Sequence, residues 1–242
     1  MIKFTVCCVT YNRPVLLGEL IQSFEMQTYP AAYRELVILD DAGQYGHVRG
    51  NRWQIISFPR RIASLGEKRN ICALMASPET THFAIADDDD LYLPNWLELH
   101  AKNFEMGARW SSADKAYLSE NNQIKKLWKA SEAGHVLHPA SAYPKELFRN
   151  MGGYPPTSGC EDSIFFQRIR EHGICGKDPL RTGHEPYLIY RRFSNLQHMT
   201  CVPLDVYQTK YQAILPHIPL EVGWQRDYWN DINEYKKQGG ET

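Results

Sequence analysis

Four aspartates in a row, Asp87-Asp88-Asp89-Asp90, follow the apolar run His82-Phe83-Ala84-Ile85-Ala86 and precede Leu91-Tyr92-Leu93-Pro94. Like charges a few ångströms apart repel strongly, so a run of this kind needs a counter-charge. A divalent cation supplies one: carboxylate oxygens are hard ligands that suit Mg2+ or Mn2+, and such an ion also bridges two phosphates of a nucleotide. Alternate residues of an extended segment face opposite ways, so the four cannot all be ligands of one ion. The plain alternative is an exposed acidic loop or helix cap ahead of Pro94. The apolar residues on both sides weigh against it.

Other residues have types and positions suited to chemistry. Asp41 closes a second apolar run, Leu36-Val37-Ile38-Leu39-Asp40-Asp41. Its carboxylate can accept an N–H from a nucleobase, which favours uracil or thymine, or it can cap the turn that follows. Tyr11, in Thr10-Tyr11-Asn12-Arg13-Pro14, offers a ring on which a base stacks, or is a half-buried aromatic at a strand end. Arg69 lies near a helix start, where the dipole also favours phosphate, or is surface charge. Asp162 follows Gly159-Cys160-Glu161 at another helix start, where the dipole alone favours a carboxylate. His198 carries an imidazole suited to Mn2+ or phosphate, against a purely structural role.

These residues have to be held by regular elements. Residues 3–9 read as a buried strand, and Pro14 suits the first position of a helix carrying Leu16, Leu17, Leu20, Ile21 and Phe24. Further strands are expected at 36–39, 53–57 and 82–86, with helices at 66–76 and after Pro94. Alternation of this kind predicts an α/β fold with a largely parallel sheet, right-handed crossovers and ligands beyond the carboxyl ends of the strands. Three polar clusters, at 10–12, 40–41 and 87–90, fall at such ends. The second half is less regular. Asn121-Asn122 marks a hairpin within 116–128, residues 152–156 read as a loop, and 161–172 as an amphipathic helix. Residues 203–242 hold three prolines and many aromatics but no legible chemistry.

Composition narrows the class. At 242 residues, 43% hydrophobic and 23% charged, the chain has the make-up of a soluble globular protein. A net charge of −1 gives no global field for nucleic acid or an anionic membrane; Lys125-Lys126 and Arg191-Arg192 are the notable basic pairs. The amino terminus lacks a signal-peptide pattern, and no segment approaches the roughly 18 apolar residues of a membrane helix. The cysteines, at 7, 8, 72, 160, 175 and 201, form no zinc spacing and are expected as reduced thiols in a cytoplasmic protein. Cys7 and Cys8 should point to opposite faces of their strand.

Taken together, the motifs resemble those of family 2 glycosyltransferases with the GT-A fold. Residues 87–94 are similar to that family's Asp-x-Asp-Asp-x-x-x-Pro segment, 6–13 to its opening strand and turn, and 38–41 to the end of its second strand. Gly66-Glu67-Lys68-Arg69-Asn70 resembles its Gly-x-x-Arg-Asn helix start. Gly152-Gly153-Tyr154 and Glu161-Asp162 resemble its acceptor-side elements, and 190–198 the segment closing over the diphosphate. The chain departs from the pattern at Asp88, which fills the variable position of the metal motif, and at Ala42-Gly43-Gln44, where Gly-Ser is usual.

The resemblance implies a GT-A domain over 1–202, with a mostly parallel nucleotide-sugar half at 1–105, a smaller mixed acceptor half at 106–202, and an extension at 203–242 packed on it. It further implies inverting, metal-dependent transfer from a UDP- or dTDP-linked sugar to a hydroxyl acceptor. Thr10, Tyr11, Arg13, Asp41, Arg69, Asp87 and Asp88 are then expected around the donor, and Asp89 and His198 at Mn2+ or Mg2+. Asp162 is the expected catalytic base, with Glu161 beside it. Nucleotidyl transfer to a sugar phosphate is the rival chemistry, but the Gly-rich phosphate loop usual near its first strand has no counterpart in residues 10–14. An inactive binding module is the non-enzymatic rival, and retention of Asp89 and Asp162 argues against it. The acceptor, whether polysaccharide, lipid, protein or nucleic-acid base, is not legible.

Overall fold

The computed structural model describes residues 1–131, 136–181, 183–193 and 218–240. Of the expected segment 190–198, residues 194–198, with His198, lie outside the described residues.

Among the described residues, eleven strands lie in two sheets. β1 (Phe4–Thr10), β2 (Arg34–Asp40), β4 (Trp53–Ser57) and β5 (His82–Asp87) form the parallel centre of a seven-stranded sheet. Its order is β3-β4-β2-β1-β5-β10-β7, with β3 (Val48–Arg49), β7 (Ser111–Ser112) and β10 (Ser141–Pro144) adding antiparallel pairings at both edges. The sheet is thus a large mixed one with a parallel core. A smaller sheet has the order β6-β11-β8-β9, from β6 (Leu91–Tyr92), β8 (Lys115–Glu120), β9 (Gln123–Lys129) and β11 (Leu188–Arg192). Asn121 and Asn122, at φ of 47° and 66°, make the expected tight hairpin between β8 and β9.

The alternating strand residues sort onto two faces. Val6, Cys8, Leu36, Ile38, Ala84 and Ala86 pack against α1 (Pro14–Glu25) and α3 (Trp96–Glu105). Cys7, Val9, Val37, Leu39, Phe83 and Ile85 pack against α2 (Leu65–Leu74), α4 (Lys145–Asn150) and α5 (Glu161–Glu171). Cys7 and Cys8 therefore do face opposite ways, and with Cys72 they are buried and unbridged. Leu17, Leu20, Ile21 and Phe24 of α1 are nearly inaccessible, as their spacing predicts. α2 opens with Ser64, whose hydroxyl accepts from Glu67 N at 3.2 Å and donates to the Glu67 carboxylate at 3.0 Å, a reciprocal cap.

The last helix, α6 (Tyr228–Lys237), lies on the smaller sheet: Leu127 N donates to Tyr235 Oη at 3.0 Å, and Tyr228 and Ile232 join Leu91, Tyr117 and Ile189 in one apolar cluster. No helix among the described residues is long and apolar enough to cross a membrane.

Candidate active site

Register puts the polar strand ends side by side: Thr10 pairs with Asp40 across β1 and β2, and Val9 with Asp87 across β1 and β5. From β1, Thr10 Oγ1 donates to Asp88 at 2.6 Å. Arg13, at the entrance to α1, reaches Asp88 at 2.7 Å and Asp89 at 2.9 Å with the same guanidinium nitrogen. Asp88, Asp89 and Asp90 are 4%, 8% and 1% exposed, so these are buried carboxylates and not an acidic loop. Burial first, and Asp88 second, push the Asp89 carboxyl up to about 7. Burial and Asp89 raise Asp90 as well. The Asp88 carboxylate beside Arg13 holds the Arg13 guanidinium more firmly protonated than usual.

Hard oxygen donors crowded this closely suit Mg2+ or Mn2+, which would relieve the same repulsion that raises Asp89. Asp90 Oδ2 is buried with no hydrogen-bond partner, a further sign of uncompensated charge. Among the described residues no three His, Cys, Asp or Glu side chains converge as a ready-made cage.

Asp40 and Asp41 have separate jobs. Asp40 accepts from Ala42 N at 2.8 Å, Gln44 N at 2.9 Å and Ser57 Oγ at 2.5 Å, and so builds the turn. Asp41 instead accepts from Lys68 Nζ at 2.5 Å, Ile62 N at 3.1 Å and the Arg61 guanidinium. Arg61 also stacks on Tyr11, 3.9 Å from the ring centre. Lys68 reaches the Thr10 carbonyl at 2.5 Å, and burial pulls its pKa down against the attraction of Asp41. Sequence reading singled out neither Lys68 nor Arg61. Lys68 shares a helical stripe with the buried Leu65 and Cys72, so its position asked for a buried acidic partner.

Arg69 connects the two halves. It donates to Asp87 at 3.1 Å and to Glu161 at 3.3 Å. Burial works against its charge, but Asp87 and Glu161 outweigh it and hold the guanidinium protonated. Glu161 also accepts from Gly159 N at 3.0 Å and is 3% exposed; burial raises its pKa, with Arg69 opposing. Asp162, one residue on, is half-buried, and its carboxylate accepts from Ser163 N at 2.7 Å.

The loop before α5 is locked to α2 by Asn70, which exchanges two 2.9 Å bonds with the Tyr154 main chain. Tyr154 Oη in turn meets Tyr143 Oη at 2.6 Å and His138 Nε2 at 2.9 Å. Burial, then Arg69, pushes His138 down to about 3, so it is a neutral packing residue.

Gly66 permits this close approach. A Cβ there would stand 1.8 Å from the Pro155 carbonyl oxygen. Gly66→Ala should therefore force the loop off α2, at about 1–3 kcal/mol, and lower Tm by roughly 4–10 °C. A thermal melt with no decrease would contradict the packing described.

Of the expected residues, Thr10, Arg13, Asp88 and Asp89 form one cluster, Tyr11 and Asp41 join Arg61 and Lys68, and Arg69 ties Asp87 to Glu161 beside Asp162. Arg191, at the start of the segment expected to close over the diphosphate, is 1% exposed and turned into the protein against Glu19.

Residues 5–152 match the family model described as Glycosyl transferase family 2. No curated protein matches the chain. Among solved structures, S. aureus TarS 1-349 in complex with UDP-GlcNAc aligns with a TM-score of 0.65 at 16% identity, covering 84% of this chain and 62% of that one. Mannosyltransferase PcManGT from Pyrobaculum calidifontis, in complex with GDP-Man and Mn2+, aligns with a TM-score of 0.53 at 19% identity, covering 73% and 53%. The chain therefore spans less than two thirds of either protein, and the likeness establishes the GT-A fold.

Proposed function

The chain belongs to glycosyl transferase family 2, and on that premise we propose that it moves a sugar from a nucleotide diphosphate donor to a hydroxyl acceptor, with inversion. The observation that carries the proposal is Arg69, which joins Asp87 of the aspartate run to Glu161 at the start of α5. Through it the donor-side carboxylates and Asp162 become one site and not two unrelated acidic patches. Mn2+ or Mg2+, held by Asp89 with His198, would neutralise the departing diphosphate.

The remaining work falls to the chain's own side chains. Asp41 is buried and committed to Lys68, Arg61 and Ile62 N, so it braces the wall of the base pocket, where Tyr11 lies under Arg61; the UDP- or dTDP-linked donor is proposed from the family resemblance. Arg13, Asp87, Asp88 and Thr10 order the aspartate run, and Arg69 orders both carboxylate groups. Asp162 takes the acceptor proton, because Glu161 is buried and committed to Arg69 and Gly159. The buried thiols accord with a reducing, cytoplasmic setting.

The test is release of nucleoside diphosphate from a panel of nucleotide sugars with Mn2+ present. UDP- or dTDP-sugars should be turned over fastest. Faster turnover of GDP-sugars would overturn the proposed donor class, and turnover of none would overturn the reading as a whole.

A further inference from the structure

A buried ion pair adjoins the aspartate run. Glu19 of α1 and Arg191 of β11 meet at 2.5 Å, each 1% exposed. Arg191 faces the run with two donors: its Nε reaches the Asp89 carbonyl at 2.5 Å and its main-chain N reaches Asp90 Oδ1 at 2.9 Å. Glu19 faces the carboxyl-terminal segment, accepting from Tyr228 Oη at 2.6 Å and Gln225 N at 3.0 Å. Arg191 also donates to Tyr228 Oη at 3.0 Å, which closes the triangle.

A pair this deeply buried is a poor way to gain stability, because desolvation of both charges offsets their attraction and apolar residues of similar volume usually serve as well. Its contacts suggest another use. The carbonyl of Asp89 and the side chain of Asp90 are what set the backbone path of the run, and Arg191 holds both. Its positive charge also lies where four carboxylates repel one another.

We propose that Arg191, braced by Glu19 and Tyr228, is a positioning residue that fixes the aspartate run for donor binding, so that the carboxyl-terminal helix is part of the donor site. The proposal rests on the reading of the run as a donor and metal site, and it assigns function to a segment whose sequence showed none. Tyr228 touches no donor in this account; it acts through Glu19 and Arg191 alone.

The experiment compares Tyr228→Phe, which removes one hydroxyl, with Lys236→Gln, which breaks the Lys236–Glu185 pair (2.5 Å) elsewhere on α6. Amide hydrogen exchange is followed at residues 88–90 in the free proteins, and UDP and uridine are titrated with and without Mn2+. Tyr228→Phe should speed exchange at 88–90 and weaken Mn2+-dependent UDP binding roughly 10-fold, the low end for partners that orient metal ligands. Uridine affinity should stay the same. Lys236→Gln should leave exchange at 88–90 and UDP binding unaffected. Glu19→Gln repeats the test from α1 should Tyr228→Phe fail to fold. Unchanged exchange at 88–90 and unchanged UDP binding in Tyr228→Phe would overturn the proposal and leave the network a strap for α6. Absence of Mn2+-dependent UDP binding in the wild type would instead overturn the functional reading, while the exchange comparison would still report on positioning.

Discussion

Asp162→Asn is expected to lower turnover by roughly two orders of magnitude or more while donor affinity stays near that of the wild type. A hydroxyl is a poor nucleophile until a base removes its proton as the new bond forms, and positioned bases contribute roughly 10²–10⁴-fold. Two carboxylates stand at the start of α5, and the structure separates them. Glu161 is buried, with one oxygen on Arg69 and the other on Gly159 N. Asp162 is half-buried and is held through one oxygen by Ser163. A proton acceptor has to reach substrate, so the proposal makes Asp162 the base and leaves Glu161 to anchor Arg69. Glu161→Gln breaks that anchor and should lower Tm and raise the acceptor KM, with a smaller effect on kcat. Nucleoside diphosphate release, measured beside calorimetric donor binding, distinguishes the two. Wild-type turnover in Asp162→Asn together with lost turnover in Glu161→Gln would make Glu161 the base.

Asp89→Asn should have two effects of opposite sign. It should remove the tightening of UDP by Mn2+, a loss of at least about 10- to 100-fold, since even the partners of metal ligands are worth that much. It should also stabilise the metal-free protein. The Asp89 carboxyl titrates near 7 in the folded protein, raised by burial and by Asp88. In the unfolded chain it titrates in the usual carboxylate range, near 4. The folded state therefore binds the proton more tightly, and the carboxylate opposes folding increasingly from about pH 4 to 7 and fully above that. Asn carries no such charge, so Tm should rise at pH 8, even against the lost Arg13 contact, with no such rise at pH 4. Asp88→Asn differs, because Asp88 holds both Thr10 and Arg13, and it should lower Tm. A lower Tm in Asp89→Asn at pH 8 would mean that the carboxylate serves packing and not a ligand.

Much of this site was legible because it lies at the ends of strands whose residues are nearly all apolar. The runs before Asp40 and before Asp87 specify buried parallel strands, and adjacency of parallel strands brings their carboxyl ends together. The hairpin was legible for a local reason, since Asn121 and Asn122 tolerate the left-handed backbone it requires. What escaped reading depends on distant partners. β6 is only two residues long, and its pairing with β11 joins segments about a hundred positions apart. Lys68, Arg61, Glu19 and Arg191 each look like ordinary surface charge until their partners are known. A charged residue in a buried stripe, such as Glu19 between Leu17 and Leu20, was the available signal. Arg191-Arg192 read as one basic pair, yet strand alternation sends one side chain inward and the other out.

Calorimetric titration of UDP into the wild-type protein, with and without Mn2+, tests the central claim most directly. The account predicts that Mn2+ tightens UDP by about tenfold or more while uridine affinity is unaffected. Equal affinities for UDP in the presence and absence of the cation would contradict it.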